Sequence, residues 1–289
     1  MGKVTFTYKD FSDAEMKDIV EMYKNGYSTV KIGEKYNIGN KSIAKVLDIF
    51  GIKRIRNGVR KYKLDEHYFD FIDTPNKAYC LGLLYADGSN YPPKQTISIS
   101  LEEHDKYILE RMREELKSGK ELEYLDYSNK NDYGYNYSNQ YRLSVHSKHM
   151  SDELEHKGMV KSKSLVLEFP KFIDEEFIKY FILGYFDGDG SYCPHYLKSG
   201  KFQPLITFTS TESFCKDLQT YLRNKLGIPC GNIYDASCHN GITKVISFSG
   251  TKQVKTFLDW LYTDADMYLP RKYEKYKNSY DNIVIPLSV

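Results

Sequence analysis

A short motif that ends in an aspartate occurs twice in this chain. It reads CLGLLYADG at residues 80–88 and ILGYFDGDG at residues 182–190. The offset is 102 residues both from Gly82 to Gly184 and from Asp87 to Asp189. Repetition of the motif in each half predicts a pseudo-two-fold molecule that brings one carboxylate from each half to a common axis. Such a pair is suited to cutting the two antiparallel strands of a polymer.

The chemistry expected of Asp87 and Asp189 depends on a cation. Two carboxylates at the negative ends of neighbouring helices repel each other unless a positive ion lies between them. Mg²⁺, or Mn²⁺ in its place, prefers oxygen ligands, lowers the pKa of bound water and stabilises both oxygens of a phosphodiester displacement. We therefore predict that Asp87 and Asp189 are catalytic metal ligands, the alternative being two helix-end aspartates without a catalytic role.

The motifs must lie on helices that pack side by side. Gly82 and Gly184 remove side-chain bulk from one face of each helix, so we predict that these glycines form the helix interface. Thr74-Pro75 and Asp174 are helix-start signals before the first and the second motif, respectively. Each helix should end at the glycine after its aspartate, in the left-handed conformation that glycine accepts.

Strand and helix patterns after each motif follow the same order in the two halves. They predict an α+β fold of two αββαββα repeats with antiparallel sheets, behind a small all-α domain. The predicted strands are 96–101, 121–127 and 141–146 in the first half, and 205–209, 232–236 and 244–249 in the second. The predicted helices are 102–116 and 147–155, then 212–226 and 251–262.

The first 52 residues contain signals for three short helices. Ser12 with Glu15 forms a capping-box pattern, Ser28 and Asn40 are the predicted caps of the next two helices, and residues 37–39 form a turn. This arrangement resembles the helix-turn-helix domains of resolvases and phage regulators, and a plain three-helix packing unit is the alternative. If the resemblance holds, the third helix enters the major groove with the residues Asn40, Lys41, Ser42 and Lys45.

The charge is unevenly distributed over the 289 residues. The net charge is only +2, but residues 1–65 carry fourteen Lys and Arg against eight Asp and Glu. Between residues 41 and 63, eight cations face only Asp48. Beside a DNA-binding motif, such a run predicts contacts with the phosphate backbone or the minor groove. The predicted contact residues are Lys53, Arg54, Arg56, Arg60 and Lys61.

Hydropathy and cysteine content argue against export and membrane insertion. No apolar run reaches the roughly 20 residues that span a bilayer, and the N-terminus lacks the apolar region of a secretory signal. The five cysteines are odd in number and fit no close zinc spacing, which is typical of reduced thiols. We therefore expect an intracellular protein with no membrane partner.

The two motifs resemble those of single-chain LAGLIDADG homing endonucleases, over about residues 66–280. Residues 161–170 (KSKSLVLEFP) and 268–273 (YLPRKY) are also typical of members encoded by phages and introns. The resemblance implies a monomer that cleaves both strands of double-stranded DNA across the minor groove, using Mg²⁺. It further implies a cytoplasmic or nucleoid-associated protein of phage, bacterial or organellar origin. The first motif departs from the pattern at Tyr85, where the second has Asp187.

The resemblance also implies a basic residue near the scissile phosphate, on the strand before each closing helix. Arg142 follows Asp87 at the same interval at which Lys244 follows Asp189, and we predict that the two basic residues occupy matching places. Ser98 and Thr207, on the preceding strands, are expected to make polar contacts with DNA in the same zone.

The predicted domain organisation has four segments, and two other functions remain open. The segments are a helix-turn-helix domain (1–52), a basic linker (53–65), a first repeat (66–165) and a second repeat (166–289). A non-cleaving transcription regulator on the same scaffold is one alternative, and an RNA maturase is the other. Retention of both aspartates argues against the regulator, and a DNA-reading domain argues against the maturase.

Overall fold

The structure is a computed structural model, and it describes residues 8, 11–25, 27–53, 62–128, 131–132, 135–236 and 243–281. The chain divides into two compact units, Met1–Lys63 and Leu64–Val289. Each has a hydrophobic core of its own. Within the described residues, no helix combines the length and the apolar character that crossing a bilayer requires.

The first unit contains three helices. They are α1 (Asp13–Lys24), α2 (Thr29–Lys35) and α3 (Asn40–Ile49). Apolar residues at helical spacing turn inward from all three, so that a small core forms. Its fully buried members include Ile19, Ile32, Ile43 and Leu47.

The caps of these helices follow the sequence signals with one exception. Ser12 and Glu15 form the predicted capping box, and the Ser28 hydroxyl accepts a hydrogen bond from the amide of Lys31. Asn40 was expected to cap α3, but it is the first helical residue, and Gly39 is the cap without a side-chain hydrogen bond. The turn before it is made by Asn37, which adopts the left-handed conformation with φ of 51°.

The second unit contains both motif repeats. The first half comprises α4 (Pro75–Asp87), β1 (Gly88–Tyr91), β2 (Thr96–Glu102), α5 (Lys106–Glu115), β3 (Glu123–Leu125), β4 (Asn131–Asp132), β5 (Tyr135–Asn136), β6 (Gln140–His146) and α6 (Lys148–His156). The second half comprises α7 (Glu175–Asp189), β7 (Gly190–Cys193), β8 (Leu205–Ser210), α8 (Glu212–Leu226), β9 (Tyr234–Asp235), β10 (Lys244–Ser249), α9 (Thr251–Tyr262) and α10 (Pro270–Asp281).

Each half builds one four-stranded antiparallel sheet of the same topology. The strand orders are β1-β2-β6-β3 and β7-β8-β10-β9, while β4 and β5 pair as a separate two-stranded sheet. Alternate residues of β2 and β8 are buried, and the residues between them are partly open, so one face of each sheet covers the core. The predicted α+β class with two αββαββα repeats is confirmed.

The sequence patterns missed β1, β7 and α10. Both strands are only four residues long and follow the motif helix without a turn, so no separate alternation marks them. α10 has the strongly polar sequence PRKYEKYKNSYD, and among its described residues only Tyr276 and Tyr280 are buried. A helix with so few buried positions gives a weak periodic signal.

Candidate active site

The two motif helices, α4 and α7, touch through their glycines. A Cβ atom on Gly82 would lie 2.1 Å from the carbonyl oxygen of Phe181, and one on Gly184 would lie 2.1 Å from the carbonyl oxygen of Tyr79. Both distances are far inside van der Waals contact, so only glycine permits this approach of backbone to backbone. The structure thus places both predicted interface glycines where the two helices meet.

The motif helices end on the aspartates, but their last glycines do not adopt the predicted conformation. Gly88 has φ and ψ of −79° and 160°, and Gly190 has −83° and 150°, which are extended values. The left-handed turn is therefore wrong, because the chain continues directly into β1 and β7. Glycine is required at both positions because there is no room for a side chain: a Cβ atom at either one would lie 2.6 Å from a carbonyl oxygen one turn earlier in the helix.

Asp87 and Asp189 therefore stand at the ends of two helices in close contact. Partial burial and the negative charge of Asp189 raise the pKa of Asp87 to about 6. The pKa of Asp189 is also raised, by burial above all. Asp87 Oδ2 lies so close to α7 that a Cβ on Gly188 would be 2.8 Å from it. Both side chains keep one side open to solvent, so a ligand can reach the pair.

Two lysines lie at the same helix ends. Lys163 Nζ donates hydrogen bonds to the carbonyl oxygens of Tyr85 and Ala86, at 2.6 and 2.7 Å. Lys272 Nζ donates to the carbonyl oxygens of Phe186 and Gly190, each at 2.6 Å. The carbonyls of Tyr85, Ala86 and Phe186 lie in the last turn of a helix, at the negative end of its dipole, and Gly190 is the residue that directly follows α7. Each ammonium group is therefore fixed beside a motif aspartate by the helix end itself.

The electrostatics couple these lysines to the carboxylates. Lys163 and Lys272 both lower the pKa of Asp87 and of Asp189, against the larger effect of burial. Burial lowers the pKa of Lys272 to about 8, and it lowers the pKa of Lys163 as well. The site is thus two carboxylates and two ammonium groups in a partly desolvated environment, where charges interact more strongly than in water.

Sequence reasoning missed Lys163 and Lys272. Both lie in the two segments that carried the family resemblance, residues 161–170 and 268–273. The interval between the two lysines is longer than the interval between the two motifs, so a search at the fixed motif offset passes over them. One signal could have found them, since each is a lysine that follows the closing helix of its half.

Arg142 and Lys244 do not occupy matching places, and that expectation is wrong. Arg142 pairs with Ser100 on the open face of its sheet, where its Nε donates to the Ser100 hydroxyl at 3.0 Å. Lys244 pairs with Ser210, a buried residue on the other face, and forms an ion pair with Asp235.

Loops of different length explain the mismatch between Arg142 and Lys244. The loop between β1 and β2 is shorter than the loop between β7 and β8, whereas the connection from β2 to β6 is longer than that from β8 to β10. The strand pairings make Leu143 the counterpart of Ile246. Arg142 stands one position before Leu143, whereas Lys244 stands two positions before Ile246. A shift of one residue turns a strand side chain to the opposite face.

Ser98 and Thr207 do occupy equivalent positions. Ser98 lies between Ser89 and Ser144 on the open face of the first sheet. Thr207 lies between Ser191 and Ser247 on the open face of the second. A row of three hydroxyl groups thus crosses each sheet, offering donors and acceptors to a polar ligand.

The predicted DNA contacts of the first unit lie at the surface where the structure describes them. Asn40, Lys41, Lys45 and Lys53 are exposed, and Ser42 is partly exposed. Lys45 Nζ lies 4.9 Å from the centre of the Tyr8 ring. The other four predicted contacts, Arg54, Arg56, Arg60 and Lys61, fall outside the described residues.

The position where the motifs differ helps to make the helix interface asymmetric. Asp187 Oδ2 accepts hydrogen bonds from the Tyr79 hydroxyl at 2.8 Å and from the Leu269 amide at 2.7 Å. Burial raises the pKa of Asp187 to about 6. At the pseudo-symmetric position, Tyr85 packs edge-on against Phe181 with ring centres 5.0 Å apart. One side of the interface is therefore polar and the other aromatic.

The segment that brings Lys272 to the site is tied to the first half. The Arg271 guanidinium makes three hydrogen bonds of 2.8 to 3.0 Å to the buried carboxylate of Asp105. Arg111 donates to Asp266 at 2.5 Å. Bidentate pairs of the kind that Arg271 forms fix both distance and orientation. The start of α10, with Lys272, is therefore held in place across the two halves.

Neither a protein-family model nor a curated protein matches the sequence. Among solved structures, the chain is similar to the I-LtrWI LAGLIDADG homing endonuclease bound to target DNA, with 12% identity, 75% of this chain and 90% of that chain covered, and a TM-score of 0.47. It is similar to I-SmaMI bound to uncleaved DNA in the presence of calcium ions, with 14% identity, coverage of 71% and 89%, and a TM-score of 0.46. It is also similar to the I-SmaMI LAGLIDADG homing endonuclease bound to cleaved DNA, with 14% identity, coverage of 71% and 87%, and a TM-score of 0.44.

The donor set at the helix ends fits a hard divalent cation. Asp87 and Asp189 offer carboxylate oxygens, which are the ligands that Mg²⁺ and Mn²⁺ prefer. Burial raises the pKa of both carboxyl groups, and the charge of Asp189 raises that of Asp87 further, so the ionised pair is held at a cost that a bound cation offsets. Because the side chains are open to solvent, water or phosphate oxygens can complete the coordination of an ion.

Proposed function

We propose that this chain is a site-specific DNA endonuclease of the LAGLIDADG kind, which hydrolyses both strands with a divalent metal ion held by Asp87 and Asp189. One observation carries the proposal: pseudo-symmetric helices in backbone contact deliver one carboxylate each to a shared, solvent-open site flanked by two lysines. One active carboxylate for each half suits a substrate with two antiparallel strands.

The residues of the site have separate roles in this proposal. Asp87 and Asp189 hold the ion, which supplies Lewis-acid chemistry by polarising the phosphoryl group and activating water. Lys163 and Lys272, fixed by helix carbonyls, stabilise negative charge that develops on the phosphate. Arg142 remains a candidate phosphate contact on the open face of the first sheet, and Lys244 is a weaker one because it faces the other way.

The open faces of the two sheets are the proposed DNA-reading surfaces. Ser98 and Thr207 lie at the centres of the hydroxyl rows, and they can donate to or accept from base edges and phosphates. The first unit adds a second contact through the exposed start of α3, and it lengthens the recognised sequence. Linking two binding units raises affinity through effective concentration.

A cleavage selection tests the function with no assumption about the target sequence. The full-length protein is incubated with a pool of randomised DNA duplexes and Mg²⁺, and cut molecules are captured by ligation and sequenced. We expect one consensus sequence, cut on both strands, and no product when EDTA replaces Mg²⁺. A duplex that is bound and never cut would support the regulator instead, and preferential binding of RNA competitors would support the maturase.

Substitution of Lys272 by methionine tests the proposed charge stabilisation. We expect the single-turnover cleavage rate to fall about 10² fold with little change in DNA affinity, because a charge near the reacting phosphate acts mainly in the transition state. Lys275→Met is the matched control, since Lys275 lies on the same helix and also donates to a backbone carbonyl, that of Tyr192. Equal rates in the two variants would contradict the role given to Lys272.

Substitution of Lys41 and Lys45 by alanine tests the first unit as a DNA contact. We expect weaker binding of the selected duplex and an unchanged cleavage rate at saturating protein. The slope of log affinity against log salt should shrink by about 0.9 for each phosphate contact that the substitutions remove. Lys17→Ala together with Lys24→Ala, on α1, removes the same charge elsewhere in the unit. If both double variants change the slope equally, α3 has no special role.

A further inference from the structure

Three side chains with metal-binding chemistry meet on the first half, apart from the motif aspartates. His67 and Asp70 lie in the segment before α4, and His149 is the second residue of α6. Asp70 Oδ2 is 2.7 Å from His67 Nδ1, and Asp70 Oδ1 is 2.7 Å from His149 Nε2. The three potential ligand atoms all lie within 4.8 Å of one another.

The surrounding structure holds these residues in place. Tyr68 and Phe69, between His67 and Asp70, are buried in the core. The hydroxyl of Ser147, the cap of α6, donates to Glu66 Oε2 at 2.9 Å, next to His67. The backbone of residues 66–70 is therefore fixed against α6. The fold itself, and not only the choice of side-chain rotamers, brings the three ligand residues together.

We propose that His67, Asp70 and His149 form a binding site for a divalent transition-metal ion, with Zn²⁺ as the best match. Zn²⁺ accepts imidazole nitrogen and carboxylate oxygen at about 2.0–2.2 Å in tetrahedral geometry, which places ligand atoms roughly 3.3 Å apart. Small side-chain rotations reach this spacing, because the His67 side chain is 67% exposed and has room to turn. Water would take the fourth position.

The charges around the cluster favour a cation. Glu66 adds negative charge close to His67, and so does Asp65, whose charge is partly balanced by an ion pair with Lys117 at 3.0 Å. Lys157 is a nearby cation, but its ammonium group donates to the backbone oxygen of Asp70 at 3.2 Å and to Glu153 at 3.3 Å. Both carboxylate oxygens of Asp70 are thus left facing the two imidazole rings.

Ligand chemistry separates this site from the one at the motif helices. Two imidazoles and one carboxylate select Zn²⁺ or its neighbours in the first transition series, whereas two carboxylates select Mg²⁺ or Mn²⁺. An ion at the histidine site would join the segment before α4 to α6, and so stabilise the start of the second unit. This inference does not depend on the proposed nuclease function.

Zinc titration of the full-length protein tests the site. The probe is Zn²⁺ alone, in buffer that contains excess Mg²⁺, with binding followed by competition against a chromophoric chelator and stability followed by thermal unfolding. We expect one Zn²⁺ per chain and a raised unfolding temperature. His67→Gln and His149→Gln should each weaken the Zn²⁺ affinity at least about tenfold, since even supporting residues of metal sites contribute that much.

Two comparisons keep the result unambiguous. His156→Gln removes an exposed histidine from the last turn of the same helix, and it should leave Zn²⁺ binding unchanged. With Cu²⁺ as a spectroscopic probe, electron paramagnetic resonance should report two imidazole nitrogens in the unaltered protein and one in His149→Gln. Absence of stoichiometric Zn²⁺ binding, or equal affinity in the His67→Gln/His149→Gln double variant, overturns the proposal.

Discussion

Replacing Asp87 or Asp189 by asparagine is expected to abolish double-strand cleavage while DNA binding is retained. Asparagine keeps the shape of the side chain but removes the charge that holds a divalent ion. A metal ion contributes several kcal/mol of transition-state stabilisation, so we expect the cleavage rate to fall by at least about 10³ fold. Single-turnover cleavage and gel-shift assays on the selected duplex, at fixed Mg²⁺, measure the two properties separately.

The metal-free stability of these variants separates a catalytic role from a structural one. Burial and the charge of Asp189 raise the pKa of Asp87, so ionised Asp87 disfavours the folded state at neutral pH. Asp87→Asn should therefore unfold in EDTA at a temperature equal to or above that of the unaltered protein. Asp152→Asn, on the exposed side of α6, is the control and should cut DNA normally. Full cleavage by Asp87→Asn would falsify the assignment.

Replacing Gly82 by alanine is expected to destabilise the second unit strongly. The new Cβ atom would lie 2.1 Å from the carbonyl oxygen of Phe181, and backbone on both sides leaves no flexible atom to yield. Overpacking costs about 1–3 kcal/mol, and a clash with backbone on both sides places this substitution near the upper value, about 3 kcal/mol. For a unit of this size, that corresponds to a fall in melting temperature of roughly 6–12 °C. Gly184→Ala should behave alike, because its Cβ would meet Tyr79 in the same way.

Gly39→Ala is the matched control for these glycine substitutions. Gly39 has an ordinary backbone conformation, and nothing lies within 4 Å of the Cβ position. We expect its melting temperature to change little. Differential scanning calorimetry of the three variants makes the comparison. If Gly82→Ala and Gly184→Ala also melt at the temperature of the unaltered protein, the close contact between α4 and α7 is not present in solution.

Several elements of the fold could be predicted because their signals are local. The capping box of Ser12 and Glu15, the Thr74-Pro75 start of α4 and the alternation in β2 and β8 each depend on neighbours within a few residues. The placement of Gly82 and Gly184 at the helix interface is predictable for a similarly local reason, since a residue without a side chain lets a neighbouring helix approach the face on which it lies.

Other features depend on contacts between residues far apart in the chain. The extended conformation of Gly88 follows from the pairing of β1 with β2, which the motif does not encode. The placement of Lys272 follows from the hydrogen bonds between Arg271 and Asp105, which lie 166 residues apart in sequence. The mismatch of Arg142 and Lys244 follows from loops of different length, whose opposite differences cancel except for one residue, so that equal spacing from the two aspartates reaches opposite faces of the sheets.

The sequence by itself determined that two similar halves each end a helix on an aspartate, and that those helices carry glycine where they must meet. Only the tertiary structure decided which cations join the aspartates, because Lys163 and Lys272 reach the site by bonding helix carbonyls that no local pattern identifies. The same holds for His67, Asp70 and His149, which the packing of one segment against α6 brings together. Local spacing fixes the face of a helix or strand, whereas the neighbours of that face depend on how distant segments pack.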